Sequence, residues 1–411
     1  MIKFQRSNIL FRGFFWILIV CITIQLTERI DFLHTEAAFV VFFLFLLICG
    51  PAYKTMKLYR FIQTSLLFLF ATVITVYKLI GVSNISWSYL SVYYGWIFYS
   101  LIGIFIGDTL SSRQKMFLLY SIYAAVMANI LYLFIYGTKH LRMRGIHVEF
   151  LANASYSSML MIFSGICFVW FLHDKRRFNR LFSAIGFGLA IYVNIVILQR
   201  GINFVLTTVM ILFLLLFNTR RKSSTTVLVV LFATLMLFLY LSGGYVSMFH
   251  FLIERLDYRL AKKMSQILIF LETGSMDEAG GFSGRFYLLQ TSFKTWTSSL
   301  PNFLLGAGDT RGVNDLVGNH HEIFDNFTRY GLLFGPTVFL ILTLQIRDVV
   351  LSVQSSKNTA LKKQTATVML INLARNFIGT TVTGAMSIVI IIFFKQVLEK
   401  CQESQKEVPS T

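Results

Sequence analysis

Proline and acidic residues are both scarce in this chain. Its 411 residues include 4 prolines, and 19 acidic residues stand against 37 basic ones, for a formal net charge of +18. In a soluble protein such an excess of positive charge would suggest a nucleic-acid partner. Here most of the basic residues lie in short loops between long apolar runs. Membrane topology therefore explains the charge better, and we expect no nucleic-acid partner.

Cysteine is also sparse, and its four positions form neither a disulfide framework nor a zinc-binding pattern. Three cysteines lie within apolar runs and the fourth lies near the C-terminus: Cys21, Cys49, Cys167 and Cys401. No small-residue cleavage site follows the first apolar run, so we expect an uncleaved first helix rather than a signal peptide. The sequence shows no internal repeat, which disfavours transporter folds built from duplicated halves.

Long apolar runs dominate what is present. Hydrophobic residues make up 56% of the chain, against about 45–50% in a soluble domain. A membrane-spanning helix needs roughly 20 predominantly apolar residues. Segments that meet this criterion are 9–27, 36–53, 61–80, 88–110, 115–137, 151–173, 180–198, 201–218, 224–243 and 329–347. The run 364–398 is too long for one span, and we expect two helices with a break near Gly379 to Gly384.

The sequence thus predicts an all-α integral membrane protein with about twelve transmembrane helices (ten to twelve) and one large extracytoplasmic, partly helical loop. About nine helices would occupy residues 1–243, the extracytoplasmic loop domain 244–328, and the C-terminal helices 329–398. The polar tail 399–411 would be cytoplasmic and disordered. With the N-terminus in the cytoplasm, most basic residues fall on the cytoplasmic side, and so does the C-terminus.

The short outer segment 138–150 interrupts this pattern. It carries Lys139, Arg142 and Arg144 on the side where basic residues are disfavoured, which suggests a role in binding an anion. Arg200 lies between two apolar runs, in the sequence QRG. An arginine near membrane depth is costly and suggests function. The alternative is an ordinary turn whose arginine extends to the interface.

Two further arginines are candidates for binding an anion. Arg285 follows a cluster of glycines, just before a helix predicted to begin near Phe286. Free N–H groups at a helix start and a guanidinium can bind the same anion, although a surface arginine on a loop is the alternative. Arg375 puts a charge inside an apolar segment, near Asn372 and Asn376. It is expected to face the interior of the bundle and to line a polar cavity.

Two adjacent histidines stand in the sequence GNHHEIFDNFTRYGLLFG. Either His320 or His321 has the near-neutral pKa suited to a general base. Together with Glu322 and Asp325 they could instead bind a metal, but the spacing lacks the HExxH pattern, so we expect no metal and no cofactor. A polar surface histidine at the start of a helix is the third possibility.

The order of these motifs resembles the O-antigen polymerase and O-antigen ligase superfamily, most closely its Wzy-type capsule or exopolysaccharide polymerases. The motifs are QRG, a large outer loop with SGR, a GxG turn, and a histidine eleven residues before a glycine. The resemblance covers about residues 195–340. It implies a lipid-pyrophosphate-linked glycan as donor, Arg200 and Arg285 as ligands of the pyrophosphate, and His320 as the base. His321 stands where relatives often have Asn or Ser, so it could share or take that role.

The resemblance implies a glycosyltransferase that joins undecaprenyl-pyrophosphate-linked repeat units on the outer face of a bacterial cytoplasmic membrane, with inversion of the anomeric centre. Its partners would be the lipid-linked donor and acceptor and membrane lipids, with a chain-length regulator and a flippase as further protein partners. One alternative is a ligase that transfers the glycan to another acceptor. A non-catalytic flippase is a second, although it does not need a large outer loop with arginine and histidine.

Overall fold

A computed structural model describes residues 58–79, 111–143, 154–198, 201–218, 234, 241–255, 258–273, 283–307, 322–378 and 384–406. Every regular element in these ranges is helical, and no strand occurs in them, so the prediction of an all-α fold is confirmed there. The predicted spans 9–27, 36–53, 88–110 and 224–243 lie wholly or mostly outside the described residues. The total of about twelve spans therefore stays a prediction.

The described chain forms a series of α-helices and one π-helical segment. They are α1 Leu58–Leu79, α2 Ser112–Met143, α3 Ala154–His173, α4 Arg177–Tyr192, the π segment Val193–Ile197, α5 Gly201–Leu216, α6 Gly244–Arg255, α7 Tyr258–Thr273, α8 Ser283–Trp296, α9 Leu300–Leu305, α10 Glu322–Ser352, α11 Thr359–Ile378 and α12 Gly384–Lys406. The predicted division of 364–398 is confirmed, because α11 ends at Ile378 and α12 begins at Gly384.

Helix α3 is the centre of the bundle. It packs against α4, α5, α11 and α12, and every residue from 157 to 170 is buried. Trp170 lies in an aromatic cluster, with its ring centroid 6.0 Å from that of Tyr123 and 6.2 Å from that of Phe393. Both pairs are edge-to-face, a geometry that adds about 0.5–1.5 kcal/mol per pair to the burial of apolar area.

Hydrogen bonds near the helix ends show that α3, α4, α5 and α11 alternate in direction. Ser157, in the first turn of α3, bonds Asn194 in the π segment that continues α4, and Asn203 in the first turn of α5. At the opposite end, His173 is the last residue of α3 and bonds Gln364, early in α11. These two regions are named the Ser157 end and the His173 end of the bundle.

Two described helical segments are long and apolar enough to cross a membrane: Ser112–Ile135 and Arg177–Ile197. In Arg177–Ile197, only 28% of the most apolar stretch of 18 residues is buried. Leu181, Ile185 and Val196 are among its exposed apolar residues. The core helix of a soluble protein buries its apolar stripe. The Arg177–Ile197 segment is therefore unlike such a helix, and its exposed apolar surface is of the kind that lipid covers.

The expectation of a disordered tail from residue 399 is wrong for residues 399–406. Helix α12 runs to Lys406, and Cys401 is fully buried. Two cross-helix contacts explain the order. Lys115 Nζ lies 3.1 Å from Glu399 Oε2, and Gln402 Nε2 donates to the Ser352 carbonyl oxygen at 3.1 Å. The polar residues of this segment thus pair with other helices.

Two helix boundaries also differ from the predictions. Helix α2 continues to Met143, so Arg142 lies in its last turn rather than in an outer loop. No proline interrupts this stretch, and its charged residues are compatible with a helix. Helix α8 begins at Ser283, three residues earlier than predicted, which puts Arg285 within the first turn. Serine is a residue commonly found at helix starts.

Candidate functional site

A buried polar network joins four helical segments at the Ser157 end. The Ser157 hydroxyl donates to Asn194 Oδ1 at 2.5 Å, and Asn203 Nδ2 donates to Ser157 Oγ at 2.6 Å. Arg375 Nε donates to Asn203 Oδ1 at 2.7 Å. All four side chains are at least 97% buried. The network therefore connects α3, the π segment, α5 and α11 through hydrogen bonds that are shielded from solvent.

Arg375 lies on the interior of the bundle. A buried arginine requires hydrogen-bond partners, because desolvation of an unpaired charge costs several kcal/mol. The Asn203 carbonyl meets part of this requirement, and it comes from a helix 172 positions away in sequence. Asn372, one turn earlier in α11, is buried as well. The side chain of Asn376 lies outside the described residues. A role of Arg375 in binding substrate stays a prediction.

The π segment Val193–Ile197 lies shortly before Arg200 in the sequence. Leu198 N donates to the Val193 carbonyl oxygen at 2.9 Å, five residues back. A π turn widens the helix by one residue, and such turns occur often at functional sites. Arg200 itself lies outside the described residues. Two residues near Arg200 in the sequence belong to the network: Asn194 lies six positions before it and Asn203 three positions after it.

Helices α8 and α10 are docked through a second polar contact. Ser292 Oγ donates to Asp325 Oδ1 at 3.0 Å, and Thr328 Oγ1 donates to the Ser292 carbonyl oxygen at 2.9 Å. Ser292, Asp325 and Thr328 are all buried. Asp325, a possible metal ligand from its sequence position, thus has its carboxylate engaged by α8. Arg285 lies about two turns before Ser292 on α8, but its side chain is outside the described residues.

Aromatic contacts hold the short helix α9 on the same unit. The Trp296 ring stacks on Phe303 with centroids 5.1 Å apart, and it lies 5.2 Å from the Phe327 ring. Trp296 Nε1 also donates to the Phe303 carbonyl oxygen at 3.0 Å. The three rings come from α8, α9 and α10. The start of α10 therefore packs against α8 and α9, and these three helices are named the docked unit.

The chain leaves α9 through a close backbone contact with α10. Gly306 has φ 88° and Gly331 has φ 69°, and both are within this contact. Ala307 N donates to the Thr328 carbonyl oxygen at 2.7 Å. Of the GxG turn predicted at Gly306 and Gly308, the structure describes Gly306, where α9 ends with φ 88°; Gly308 lies outside the described residues. The segment 308–321 consequently begins and ends on the docked unit.

The two histidines lie at the end of that segment, outside the described residues and directly before Glu322, the first residue of α10. Asn358 bonds His173, so the connection from α10 to α11 lies at the His173 end. Helix α10 has non-helical backbone angles at Gly331, with φ 69° and ψ −176°. The position of His320 and His321 relative to Arg375 stays a prediction. Arg144 is likewise outside the described residues, and the side chain of Arg142 is not described.

Metal-binding clusters are not found in the described ranges, where no three His, Cys, Asp or Glu residues come together as ligands would. This observation does not extend to His320 and His321. The interpretation of that pair as a general base and its partner stays a prediction.

Sequence reasoning missed the neutral members of the network. Asn194 and Asn203 flank QRG in the sequence NIVILQRGIN, and amides in apolar helices were the available signal. It also missed His173 as a connecting residue. His173 Nε2 lies 2.5 Å from Gln364 Oε1, and its Nδ1 lies 3.2 Å from Asn358 Nδ2. Because Gln364 Nε2 donates to the Leu214 carbonyl oxygen, the Gln364 oxygen faces His173, and the histidine donates from Nε2.

No protein-family model matches the chain, and no curated protein matches it in sequence.

Proposed function

We propose that the chain is a multi-pass protein of the bacterial cytoplasmic membrane, with both termini in the cytoplasm, that polymerises undecaprenyl-pyrophosphate-linked oligosaccharide repeat units on the outer face. The observation that carries this proposal is the buried Arg375, held by Asn203 in a network whose members flank Arg200. Buried arginines in an apolar bundle are costly, and they mark sites for anionic or polar ligands. A pyrophosphate is an anion that paired guanidinium groups bind well.

The proposed reaction is a metal-independent glycosyl transfer. The acceptor hydroxyl oxygen forms a bond to the anomeric carbon of the donor while the bond from that carbon to the pyrophosphate oxygen breaks. His320, or His321 in its place, accepts the hydroxyl proton, a contribution typically worth 10²–10⁴-fold in rate. Undecaprenyl pyrophosphate leaves with the bonding electrons. Attack opposite the leaving group inverts the anomeric centre.

Arginines would stabilise the departing pyrophosphate in this scheme. Charge on the leaving oxygens grows as the glycosidic bond breaks, so fixed guanidinium groups stabilise the transition state more than the ground state. Arg200, Arg285 and Arg375 are the principal candidates, with Arg142 and Arg144 as further ones. Burial of Arg375 supports the role, since electrostatic interactions are stronger where water is excluded.

The docked unit of α8, α9 and α10 supports a role for Arg285 and His320 in one site. Ser292 and Asp325 hold α8 on α10. Arg285 lies in the first turn of α8, and His320 directly precedes α10. Catalytic groups must be held to within a fraction of an ångström of their working positions. A docked pair of helices meets this requirement better than a free loop does.

The proposal is tested with the purified protein in nanodiscs, its own undecaprenyl-pyrophosphate repeat unit, and EDTA. We expect wild type to produce a ladder of products, and Arg285→Ala and His320→Ala to lose it. Arg255→Ala and His250→Ala are matched controls, because each removes an exposed residue of the same type on a described helix. Both controls should keep the ladder. A folded wild type that forms no ladder would contradict the proposal.

The same nanodisc assay distinguishes the polymerase from a ligase and from a flippase. A ligase would consume the donor only when a different acceptor, such as a lipid or a protein, is added. A flippase would move the lipid-linked donor between leaflets without extending it. Loss of the ladder in His320→Ala together with His321→Ala activity close to wild type would assign the base to His320.

A further inference from the structure

The first turn of α4 and the residues before it form a strongly basic surface. Four of the six residues from 175 to 180 are basic and exposed: Lys175, Arg176, Arg177 and Arg180. Helix α4 contains no acidic residue. A concentration of one sign of charge on a protein surface attracts groups of the opposite sign. This end of α4 is therefore suited to an anionic partner.

The acidic residue that precedes this surface, Asp174, is turned into the bundle. Its side chain is buried, at 2% exposure. Its Oδ2 accepts from Trp170 Nε1 at 2.9 Å and from Asn179 Nδ2 at 2.7 Å. Its Oδ1 accepts from the Arg176 backbone N–H at 2.9 Å. These three donors are neutral groups that hold the carboxylate below the surface, so the exposed surface remains basic although an aspartate precedes it.

An exposed apolar stripe begins at the same turn. Phe178 is 68% exposed and Leu181 is 63% exposed, and the stripe continues through Ile185, Tyr192 and Val196. Intervals of three, four and seven residues place side chains on one side of a helix. From 178 to 196 a helix rises about 27 Å, close to the roughly 30 Å thickness of the hydrocarbon core of a bilayer. Acyl chains can therefore lie along this stripe.

Two arginines border the beginning of the stripe. Arg177 lies one turn before Leu181, and Arg180 lies three residues after Arg177. Side chains at this spacing begin about 5–6 Å apart on a helix. The Arg180 guanidinium lies over Phe171, with Cζ 5.2 Å from the ring centroid. Guanidinium groups bind phosphate oxygens through parallel N–H···O bonds, so one phosphodiester at this position can contact both arginines.

We propose that the start of α4 binds the headgroup of an anionic phospholipid. Arg177 and Arg180 bind its phosphodiester, Lys175 adds to the positive potential, and the acyl chains extend along Leu181 and Ile185. Charge complementarity favours this occupant over a second copy of the chain. Copies in one membrane have the same orientation, so two α4 helices in contact would bring their basic ends together. The inference rests on the proposed membrane location and not on the proposed reaction.

A pair of double variants tests the site. Arg177→Gln with Arg180→Gln removes two positive charges from the start of α4 and leaves the apolar stripe intact. The matched control is Arg255→Gln with Lys262→Gln, which removes the same charge from exposed positions on α6 and α7. Arg255 also reproduces the aromatic contact of Arg180, because its Cζ lies 4.0 Å from the centroid of the Phe251 ring. The two double variants therefore have equal net charge.

The measurement is native mass spectrometry of the purified, delipidated protein, titrated with phosphatidylglycerol or with phosphatidylcholine of the same acyl chains. Wild type should bind the anionic phosphatidylglycerol more tightly than the zwitterionic phosphatidylcholine. Each basic residue close to an anionic headgroup contributes about 5-fold in affinity. We expect the α4 double variant to raise the dissociation constant for phosphatidylglycerol by about 25-fold and to leave that for phosphatidylcholine unchanged. The control should bind both lipids as wild type does.

A soluble competitor distinguishes a lipid from a free phosphate. Glycerol 3-phosphate carries the phosphate of the headgroup without acyl chains, so it should not displace phosphatidylglycerol at the concentrations at which the lipid binds. Displacement would assign the basic surface to a soluble phosphate and overturn the lipid site. A protein dimer that forms without bound lipid and is lost in the α4 double variant would assign the face to a second copy of the chain.

The remaining outcomes concern the headgroup. Equal affinity of wild type for the two lipids would overturn the inference, and so would equal losses in the α4 variant and its control, which would show an effect of net charge alone. The ladder reaction is measured separately, so wild type that forms a ladder without preferring phosphatidylglycerol would overturn only the lipid site. Wild type that prefers phosphatidylglycerol without forming a ladder would contradict only the polymerase. If the α4 double variant does not fold, Arg177→Gln alone decides, with an expected loss of about 5-fold.

Discussion

Gly306 and Gly331 meet in a contact that leaves no room for a β-carbon on either residue. A β-carbon on Gly306 would lie 2.2 Å from the carbonyl oxygen of Arg329, and one on Gly331 would lie 2.3 Å from that of Leu304. Both glycines also have positive φ, of 88° and 69°. Backbone contact therefore joins the end of α9 to α10 around Gly331, and only glycine permits it at these two positions.

Replacement of Gly331 by alanine should strongly destabilise the protein. Gly331 has φ 69° and ψ −176°, a region that is essentially restricted to glycine and costs another residue about 1–3 kcal/mol, and the overlap with Leu304 adds to that cost. Gly243→Ala is the comparison for positive φ without overlap, since Gly243 has φ 68° with nothing within 4 Å of its β-position. Gly188→Ala, in open space inside α4, should be neutral or stabilising. Thermal unfolding in detergent measures all three, and equal losses for Gly331→Ala and Gly243→Ala would contradict the contact.

The sequence predicted the turn at Gly306 and included Gly331 in a motif, but it could not predict that the two meet. They are 25 positions apart, and a spacing does not specify which backbone segments approach each other. The helices themselves were easier to predict, since a run of about 20 apolar residues has few alternatives to a helix. The C-terminal end of α3 at His173 and the break between α11 and α12 followed from that pattern.

The polar network was only partly predictable for a related reason. Arg375 stood out because a charge inside an apolar run is expensive. Ser157 and Asn203 are neutral, and single neutral polar residues are common in apolar helices. Their importance comes from the alternating directions of α3, α5 and α11, which bring their ends together. That arrangement depends on packing between distant segments and not on local sequence.

Helix α8 should loosen when its contact to α10 is removed. In Ser292→Ala the Asp325 carboxylate loses a buried donor, at a cost of about 1.5–3 kcal/mol. Thr291→Ala is the neighbouring control, because that hydroxyl donates to the Tyr287 carbonyl of its own helix. Hydrogen exchange followed by mass spectrometry should show faster exchange across 283–296 in Ser292→Ala alone. Equal exchange in both variants would show that the Ser292–Asp325 bond does not hold α8.

The thiol of Cys401 should be unreactive in the folded protein. It is fully buried, and burial raises its pKa well above its usual value. With Cys21 and Cys49 replaced by serine and Cys167 by alanine, maleimide labelling of Cys401 should be on the order of 100-fold slower than after unfolding. Rapid labelling of the native protein would contradict the burial of α12 beyond residue 398.

The raised pKa of Cys401 also predicts a pH dependence of stability. A thiol whose pKa is higher in the folded state adds stability below the pKa of the unfolded thiol, about 8.5. That contribution is lost as the pH rises towards the folded pKa. The unfolding temperature should therefore fall more steeply above about pH 8.5 in the protein that retains Cys401 than in the Cys401→Ala variant. Identical profiles would show that the thiol is not desolvated.

The His173 end of the bundle and the docked helices α8, α9 and α10 should be exposed on opposite sides of the membrane. Lys175 and Lys357 are exposed near the His173 end, and Leu300 is exposed on α9, in the predicted outer loop domain. The test uses spheroplasts of cells that produce single-cysteine variants of the protein. A membrane-impermeant maleimide should label Leu300→Cys while the spheroplasts are intact. It should label Lys175→Cys and Lys357→Cys only after permeabilisation, because basic residues next to apolar helices are retained in the cytoplasm.

Each other pattern of labelling has a separate meaning. Labelling of Lys175→Cys but not Leu300→Cys in intact cells would reverse the topology and move α8 to α10 into the cytoplasm, where the proposed polymerase could not act on exported repeat units. Labelling of all three variants in intact cells would contradict a membrane barrier between the His173 end and the docked helices. Labelling of none before permeabilisation would remove the extracytoplasmic site itself. The proposed reaction therefore depends on this result before any kinetic comparison of His320, Arg200 or Arg375 variants.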